Sequence, residues 1–191
     1  MNALILLRHS LTEANERRLY CGWTDLPLSE GGRALAGEVA QERPLPACGC
    51  YVTSGMRRAE ETLFLLTGRA SDMQLPDLRE MGFGRFEMHS YEQLRDDADY
   101  LRWIGDEAGD VACPGGESRA QFKTRVLRGG EALLRLDADS ALVVCHGGVI
   151  VNLMQAWFPG IEKNFYEWQP GACRGYRVLI ENSAPQKYES L

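Results

Sequence analysis

Lysine is scarce in this 191-residue chain: of its 21 basic residues only Lys123, Lys163 and Lys187 are lysines, and the rest are arginines. Histidine is equally rare, with three copies at His9, His89 and His146. Arginine grips oxyanions through a planar fork, so the bias suits phosphate or carboxylate recognition, although genome composition explains it equally well. The net charge of −6 argues against nucleic acid or an anionic membrane as partner. A phosphorylated small molecule stays open, because local arginines and not the global sum decide that binding. No apolar run approaches the length of a transmembrane helix. The first apolar stretch, Ala3 to Leu7, ends in arginine and is too short for a secretory leader. The six cysteines (Cys21, Cys48, Cys50, Cys113, Cys145, Cys173) form no C-x-x-C ladder with zinc spacing, and are read as free thiols in a reducing cytoplasm. There is no internal repeat and no low-complexity linker, so one domain over residues 1–191 is expected.

Short apolar runs separated by helical patterns make up most of what is present. Ala3–Leu7, Cys50–Thr53 and Leu142–Cys145 read as strands buried on both faces, as in a mostly parallel sheet. Ser29 is placed to cap a helix through about Arg43, which Pro44 and Pro46 end. From Met56 the stripe Ala59, Leu63, Leu66 recurs at helical spacing and Gly68 closes it. Ser118 opens a long helix with Phe122, Val126 and Leu133 on one face, and Val149–Phe158 is a nearly all-apolar helix stopped by Pro159-Gly160. Two last strands are expected near Phe165–Trp168 and Tyr176–Glu181, followed by a frayed tail from Asn182 to Leu191. The segment from about 77 to 114 has no clear strand and two short helical patches, and reads as a covering insertion. The expected fold is a three-layer α/β/α sandwich with a mostly parallel central sheet and a helical cover.

Two of the three histidines end apolar strands: Arg8-His9 closes the first, and His146-Gly147-Gly148 follows Val143-Val144-Cys145. Ligands of α/β sheets bind at the carboxyl ends of parallel strands, so adjacent strands would bring both imidazoles into one crevice. An unprotonated ring nitrogen aimed in line can attack phosphorus, and neighbouring arginines both disfavour imidazolium and bind the equatorial oxygens. An isolated Arg-His dipeptide is ordinarily just a hydrogen-bonded loop histidine, and His146 alone reads equally as a buried structural residue. The paired glycines after His146 let the backbone approach an anion, with helix N–H groups pointing at it. Arg58 lies in the first turn of its helix, where a cation opposes the dipole, so a bound anion explains it better than a surface pair with Glu61 or Glu80. Arg57, about 100° round the helix, is the solvated one. A rival is Cys113-Pro-Gly-Gly-Glu-Ser-Arg119, which has the C-x5-R spacing of a cysteine nucleophile, but Glu117 inside that cradle would repel phosphate. His89 reads as a surface histidine, and Trp23, Trp103, Trp157 and Trp168 as core or rim.

Taken together these segments resemble the histidine phosphatase superfamily, the phosphoglycerate-mutase-like proteins. The resemblance rests on six ordered elements: Arg8-His9-Ser10-Leu11-Thr12-Glu13-Ala14-Asn15; Gly22-Trp23-Thr24-Asp25-Leu26-Pro27-Leu28; Ser54, Arg58, Ala59 and Thr62; Glu80 before a Phe-Gly turn; Gly116-Glu117-Ser118; and His146-Gly147-Gly148. It implies that His9 attacks and becomes phosphohistidine. Arg8, Arg58 and His146 would hold the phosphoryl oxygens, and Glu80 would act as acid and then base. Asn15, Ser10, Cys21, Gly22 and Gly147 are the expected substrate contacts, with no metal and no cofactor. Ser10 departs from the family's glycine and would either crowd the phosphate or add a donor. The segment Arg79–Met88 with Tyr91, Tyr100, Trp103 and Pro114–Ser118 is similar to the α-ribazole phosphatases, which implies aromatic stacking on a flat base. The compact length favours hydrolysis over a mutase. The alternatives are phosphoglycerate mutase activity, or a phospholigand-binding protein weakened by Ser10. The partner expected is a small phosphomonoester, and nothing in the pattern speaks for one oligomeric state.

Overall fold

In the computed structural model, which describes residues 1–191, the run Ala3–Arg8 forms strand β1 in the middle of a six-stranded sheet. Its four central residues are buried on both sides, as expected for a strand covered on both faces. The other strands are β2 (Cys50–Thr53), β3 (Met73–Gln74), β4 (Ser140–Cys145), β5 (Gly175–Glu181) and β6 (Ala184–Ser190). Their order is β3-β2-β4-β1-β5-β6; the first four run parallel, and β5 and β6 are antiparallel additions at one edge.

Helices cover both faces of the sheet. On one side α2 (Glu30–Glu42) and α3 (Arg57–Thr67) bury Ala36, Val39, Ala59, Leu63 and Leu66 against Ile5, Leu7, Tyr51, Leu142 and Val144. On the other, α6 (Arg119–Leu134) and α7 (Gly147–Trp157) pack Phe122, Val126, Leu133, Val149, Ile150 and Leu153 against Leu4, Leu6, Ala141 and Val143; the labels α1, α4, α5 and α8 denote Glu13–Glu16, Tyr91–Leu94, Ala98–Ile104 and Phe165–Trp168. Each fully buried Leu or Val is worth about 1.5–3 kcal/mol, so the two clusters are the main stabilising term. No helix is long and apolar enough to cross a membrane.

The cover, residues 77–114, contains α4, α5 and two single 3-10 turns, and is anchored by Phe86, Leu94, Tyr100 and Trp103, all buried. Tyr20 reaches across from the first loop and its hydroxyl meets that of Tyr100 at 2.6 Å.

Two local expectations are corrected, and two short elements are added to the expected set. Phe165–Trp168 is the helix α8, because Asn164 accepts from the N–H groups of Tyr166 and Glu167 while the Glu167 carboxylate returns to Asn164 N–H. The segment from Asn182 on is no tail: Asn182 and Ser183 both adopt positive φ and turn the chain into β6, a hairpin partner of β5. The loop after β1 contains the short helix α1, capped by Thr12 and Asn15. Met73–Gln74 adds the two-residue edge strand β3.

Candidate active site

Strands β1 and β4 are immediate neighbours, with Arg8 opposite Cys145 in register. Their next residues, His9 and His146, therefore leave the sheet side by side, and their rings meet edge to face with centroids 5.1 Å apart. Both are buried. The Nδ1 of His9 faces the carbonyl oxygen of its neighbour Ser10 at 2.5 Å. A carbonyl only accepts, so Nδ1 carries the proton and Nε2 holds a free lone pair. Burial, then the charge of Arg58, then that of Arg8 hold His9 well below the usual imidazole range, against the opposing pull of the Ser10 hydrogen bond. His9 is thus neutral with its reactive nitrogen bare.

His146 is bonded through Nε2 to the hydroxyl of Ser54, at the end of β2, at 2.8 Å, and its Nδ1 is buried without a partner. The Ser54 oxygen also accepts from Met56 N–H at 3.4 Å. A hydroxyl can donate to Nε2 or accept from it, and in the tautomer with the ring proton on Nδ1 that nitrogen is a donor with nothing to donate to. Burial first, and then Arg58, His9 and Arg8, keep this imidazole neutral as well.

Two neutral buried histidines make stability depend on pH. In the unfolded chain both take a proton near pH 6.5, while in the folded chain they resist it, so stability is complete above that pH and is lost as pH falls below it. Each contributes a slope of about 1.4 kcal/mol per pH unit. Urea unfolding between pH 7.5 and 5.5 should show this decline, and His9→Ala should remove about half of it; an unchanged slope in the variant would refute the assignment.

Glu80 approaches from the cover. Its carboxylate accepts from Met81 N–H at 3.0 Å and from Gly148 N–H, in the first turn of α7, at 3.0 Å. The anion expected at that helix start is therefore the protein's own carboxylate. The approach is close: a Cβ on Gly148 would lie 2.4 Å from Glu80 Oε1 and would push that carboxylate away from the helix start. Arg125 spends all five of its N–H groups behind Glu80, on the carbonyls of Asp77, Arg79 and Glu80 and on both oxygens of Glu117. Glu117 in turn accepts from Gly82 N–H at 2.8 Å.

Arg58 is buried, and makes neither of the surface pairs considered for it. Its Nη2 and Nη1 donate to the carbonyls of Gly22 and Thr24 at 2.7 and 3.1 Å, leaving three N–H groups. Arg57 is the one exposed, paired with Glu61.

A cavity of about 990 Å³ opens above these groups, with Arg8, His9, Asn15, Cys21, Glu80 and Gly147 in its wall. Arg58 and His146 adjoin His9 without being part of the wall itself. The Asn15 carbonyl caps α1 through Thr12, which leaves its amide N–H groups for a ligand. The aromatic lining is Tyr20, Phe83, Trp103, Phe122, Phe165 and Tyr166. Tyr91 and Tyr100, expected among them, are elsewhere: Tyr100 is buried in the cover and Tyr91 is exposed outside the cavity. His89 is also outside, its Nδ1 donating to the Glu87 carbonyl.

Two expected contacts are displaced. Ser10 is fully buried with its hydroxyl donating to Gly32 O at 2.7 Å, so it neither crowds the cavity nor offers a donor to it. Gly22 faces Arg58 and not the cavity. The C-x5-R alternative fails on geometry: Cys113 is buried, its thiol pushed up to about 12 by burial, and its own N–H is bonded to Glu117 O. Sequence alone does not point to these roles for Ser54, Glu117 and Arg125: Ser54 and Glu117 stand within recognisable motifs, whereas Arg125 carries no local signal.

Comparisons with known proteins bear on the family and the fold. The family model for the histidine phosphatase superfamily, branch 1, matches residues 4–188. The adenosylcobalamin/alpha-ribazole phosphatase of Salmonella typhimurium is 37% identical over 162 residues, covering 79% of this chain and 77% of that protein. A 2,3-bisphosphoglycerate-dependent phosphoglycerate mutase of Xanthobacter autotrophicus is 28% identical over 200 residues, covering 96% and 95%. A mutase of this size removes the argument from compact length. Among solved structures, a candidate alpha-ribazole-5'-P phosphatase from Escherichia coli K-12 superposes with a TM-score of 0.88 at 25% identity, over 100% of this chain and 95% of that one.

Proposed function

This chain belongs to the histidine phosphatase superfamily, and from that premise we propose that it hydrolyses phosphomonoesters through a phosphohistidine at His9. The observation that carries the reading is the His9 ring, neutral, with Nδ1 tied to a carbonyl and Nε2 free. Nε2 attacks phosphorus in line with the ester oxygen, forming an N–P bond as the P–O bond breaks. Arg8 and the three remaining N–H groups of Arg58 offset the charge on the phosphoryl oxygens, and the unpartnered Nδ1–H of His146 donates to one of them. Glu80, entering the step as the neutral acid, delivers its proton to the leaving alkoxide, and as the resulting carboxylate takes one back from the water that cleaves the N–P bond and restores His9.

For the leaving group, the cavity favours a flat, nucleoside-sized alcohol. Its volume is at the upper end for small-molecule sites, and Tyr20, Phe83, Trp103 and Phe165 offer faces or edges to a planar base beside Asn152, Gln155 and Gln169. Together with the 37% identity to the Salmonella enzyme, this supports α-ribazole 5′-phosphate as substrate. Mutase chemistry is the second reading, motivated by the Xanthobacter relative. Phosphate release in EDTA from α-ribazole 5′-phosphate, p-nitrophenyl phosphate and 3-phosphoglycerate separates them. The ribazole ester is expected to turn over with the highest kcat/KM, by at least about tenfold, a margin worth only about 1.4 kcal/mol of selective binding. Isomerisation of 3-phosphoglycerate without phosphate release would favour the mutase instead.

A further inference from the structure

Glu87 belongs to the cover, does not line the cavity, and has no part in the chemistry above. Its carboxylate nevertheless collects a run of backbone donors. Oε1 accepts from Gly22, Trp23 and Phe83 at 3.1, 2.9 and 3.0 Å, and Oε2 from Gly22 and Thr24 at 2.9 and 3.3 Å. The same turn presents its carbonyls to the other side, where Gly22 O and Thr24 O hold the guanidinium of Arg58. Trp23, the middle residue, donates its indole N–H to the carbonyl of Glu80 at 3.1 Å. The turn has no slack, since a Cβ on Gly22 would fall 1.7 Å from Met81 O. One carboxylate thus holds the N–H side of a turn whose carbonyls hold the cation of the site and whose Trp23 indole holds the backbone of its acid.

We propose that Glu87 is a positioning residue: by clamping residues 22–24 it sets the Arg58 guanidinium beside His9 and steadies the backbone of Glu80. The inference rests on the phosphatase reading for its catalytic consequence, though not for the clamp itself. A misplacement of about 1 Å at such a site costs on the order of 10²-fold in rate.

Glu87→Gln keeps the shape but puts an amide NH₂ among backbone N–H donors. The first readout needs no turnover: imidazole NMR titration, in which three histidines give few signals to assign. The charged and titratable groups acting on or touching His9 are Arg8, Arg58 and His146, with Glu80 beside Arg8. With Arg58 released, His9 is expected to titrate at higher pH than in the wild type. The second readout is p-nitrophenyl phosphate hydrolysis, where kcat should drop roughly 10²-fold with a much smaller change in KM. Glu87→Asp, which keeps the charge, should recover part of both effects, and it serves as the test if the glutamine variant does not fold. Leu94→Ala, a core change in the same cover, should lower stability and leave the His9 titration in place. Unaltered His9 titration and kcat in both Glu87 variants would overturn the proposal, as would a His9 shift of equal size in Leu94→Ala. A His9 shift in a protein that hydrolyses no phosphomonoester would uphold the clamp and sink the phosphatase reading.

Discussion

His9→Ala is expected to abolish turnover, by at least about 10⁴-fold in kcat, while the protein still folds and still binds inorganic phosphate. The size follows from the role. Removing a nucleophile removes the covalent path entirely, and what is left is the binding and electrostatic help of Arg8, Arg58 and His146. Phosphate binding should survive because the two arginines do not depend on the His9 ring for their anchors: Arg8 donates to Pro170 O and Arg58 to Gly22 O and Thr24 O. The decisive measurement is trapping. Wild-type protein quenched during hydrolysis of a labelled ester should carry protein-bound phosphate that survives alkali and is lost in acid, as an N–P bond requires, and His9→Ala should carry none. Label that persists in His9→Ala, or that is stable to acid, would move the nucleophile elsewhere. Turnover in EDTA at the wild-type rate is expected in the same assay, since no His, Cys, Asp and Glu side chains are grouped here as a metal-binding set.

What the sequence made legible was local and periodic. Ala3–Leu7 and Leu142–Cys145 are uninterrupted apolar runs, the first followed by Arg8-His9 and the second by His146, so a parallel sheet with both imidazoles at one end is readable from sequence alone. Ser29, Ser118 and Gly68 marked their helix ends because capping is set by a few neighbouring residues. The misses came where composition and local hydrogen bonding disagree. Phe165-Tyr166-Glu167-Trp168 has strand-like aromatics, yet Asn164 and Glu167 form a reciprocal cap that starts a helix. Strand β6 contains Pro185, Gln186 and Lys187, the residues of a protected edge, and so reads as a tail; what places it is Tyr188 packing on Phe158, Trp168 and Tyr176.

The site divides in the same way. Arg8, His9, Glu80 and Gly147 were found as motif residues and do share a cavity wall. Ser10 stands next to the nucleophile in sequence, but β1 has ended at Arg8 and the Ser10 side chain turns under to Gly32, a partner 22 residues away. The supports are the least legible part. Arg125 reaches Glu80 across 45 residues, and Glu87 reaches Gly22 across 65, through backbone groups that any sequence supplies. Side chains that bind backbone leave no complementary residue to look for.

Glu80→Gln should separate the two halves of the reaction. Glutamine keeps an oxygen that can accept from Met81 or Gly148 N–H but has no proton to give and no base to offer. With an alkyl phosphate the leaving alkoxide needs that proton, so formation of the phosphoenzyme should slow by about 10²–10⁴-fold. With p-nitrophenyl phosphate the leaving phenolate is weakly basic and departs unaided, so the first step should be nearly unchanged. The second step lacks its base with either ester. Stopped-flow traces of the variant should therefore show a burst of p-nitrophenolate equal to the enzyme concentration, followed by slow turnover, and no burst of alcohol from the ribazole ester. If Glu80 served only to tie the cover to the start of α7, both esters would slow alike and neither would show a burst. The burst, and not the loss of rate, is the signature of an acid that becomes a base.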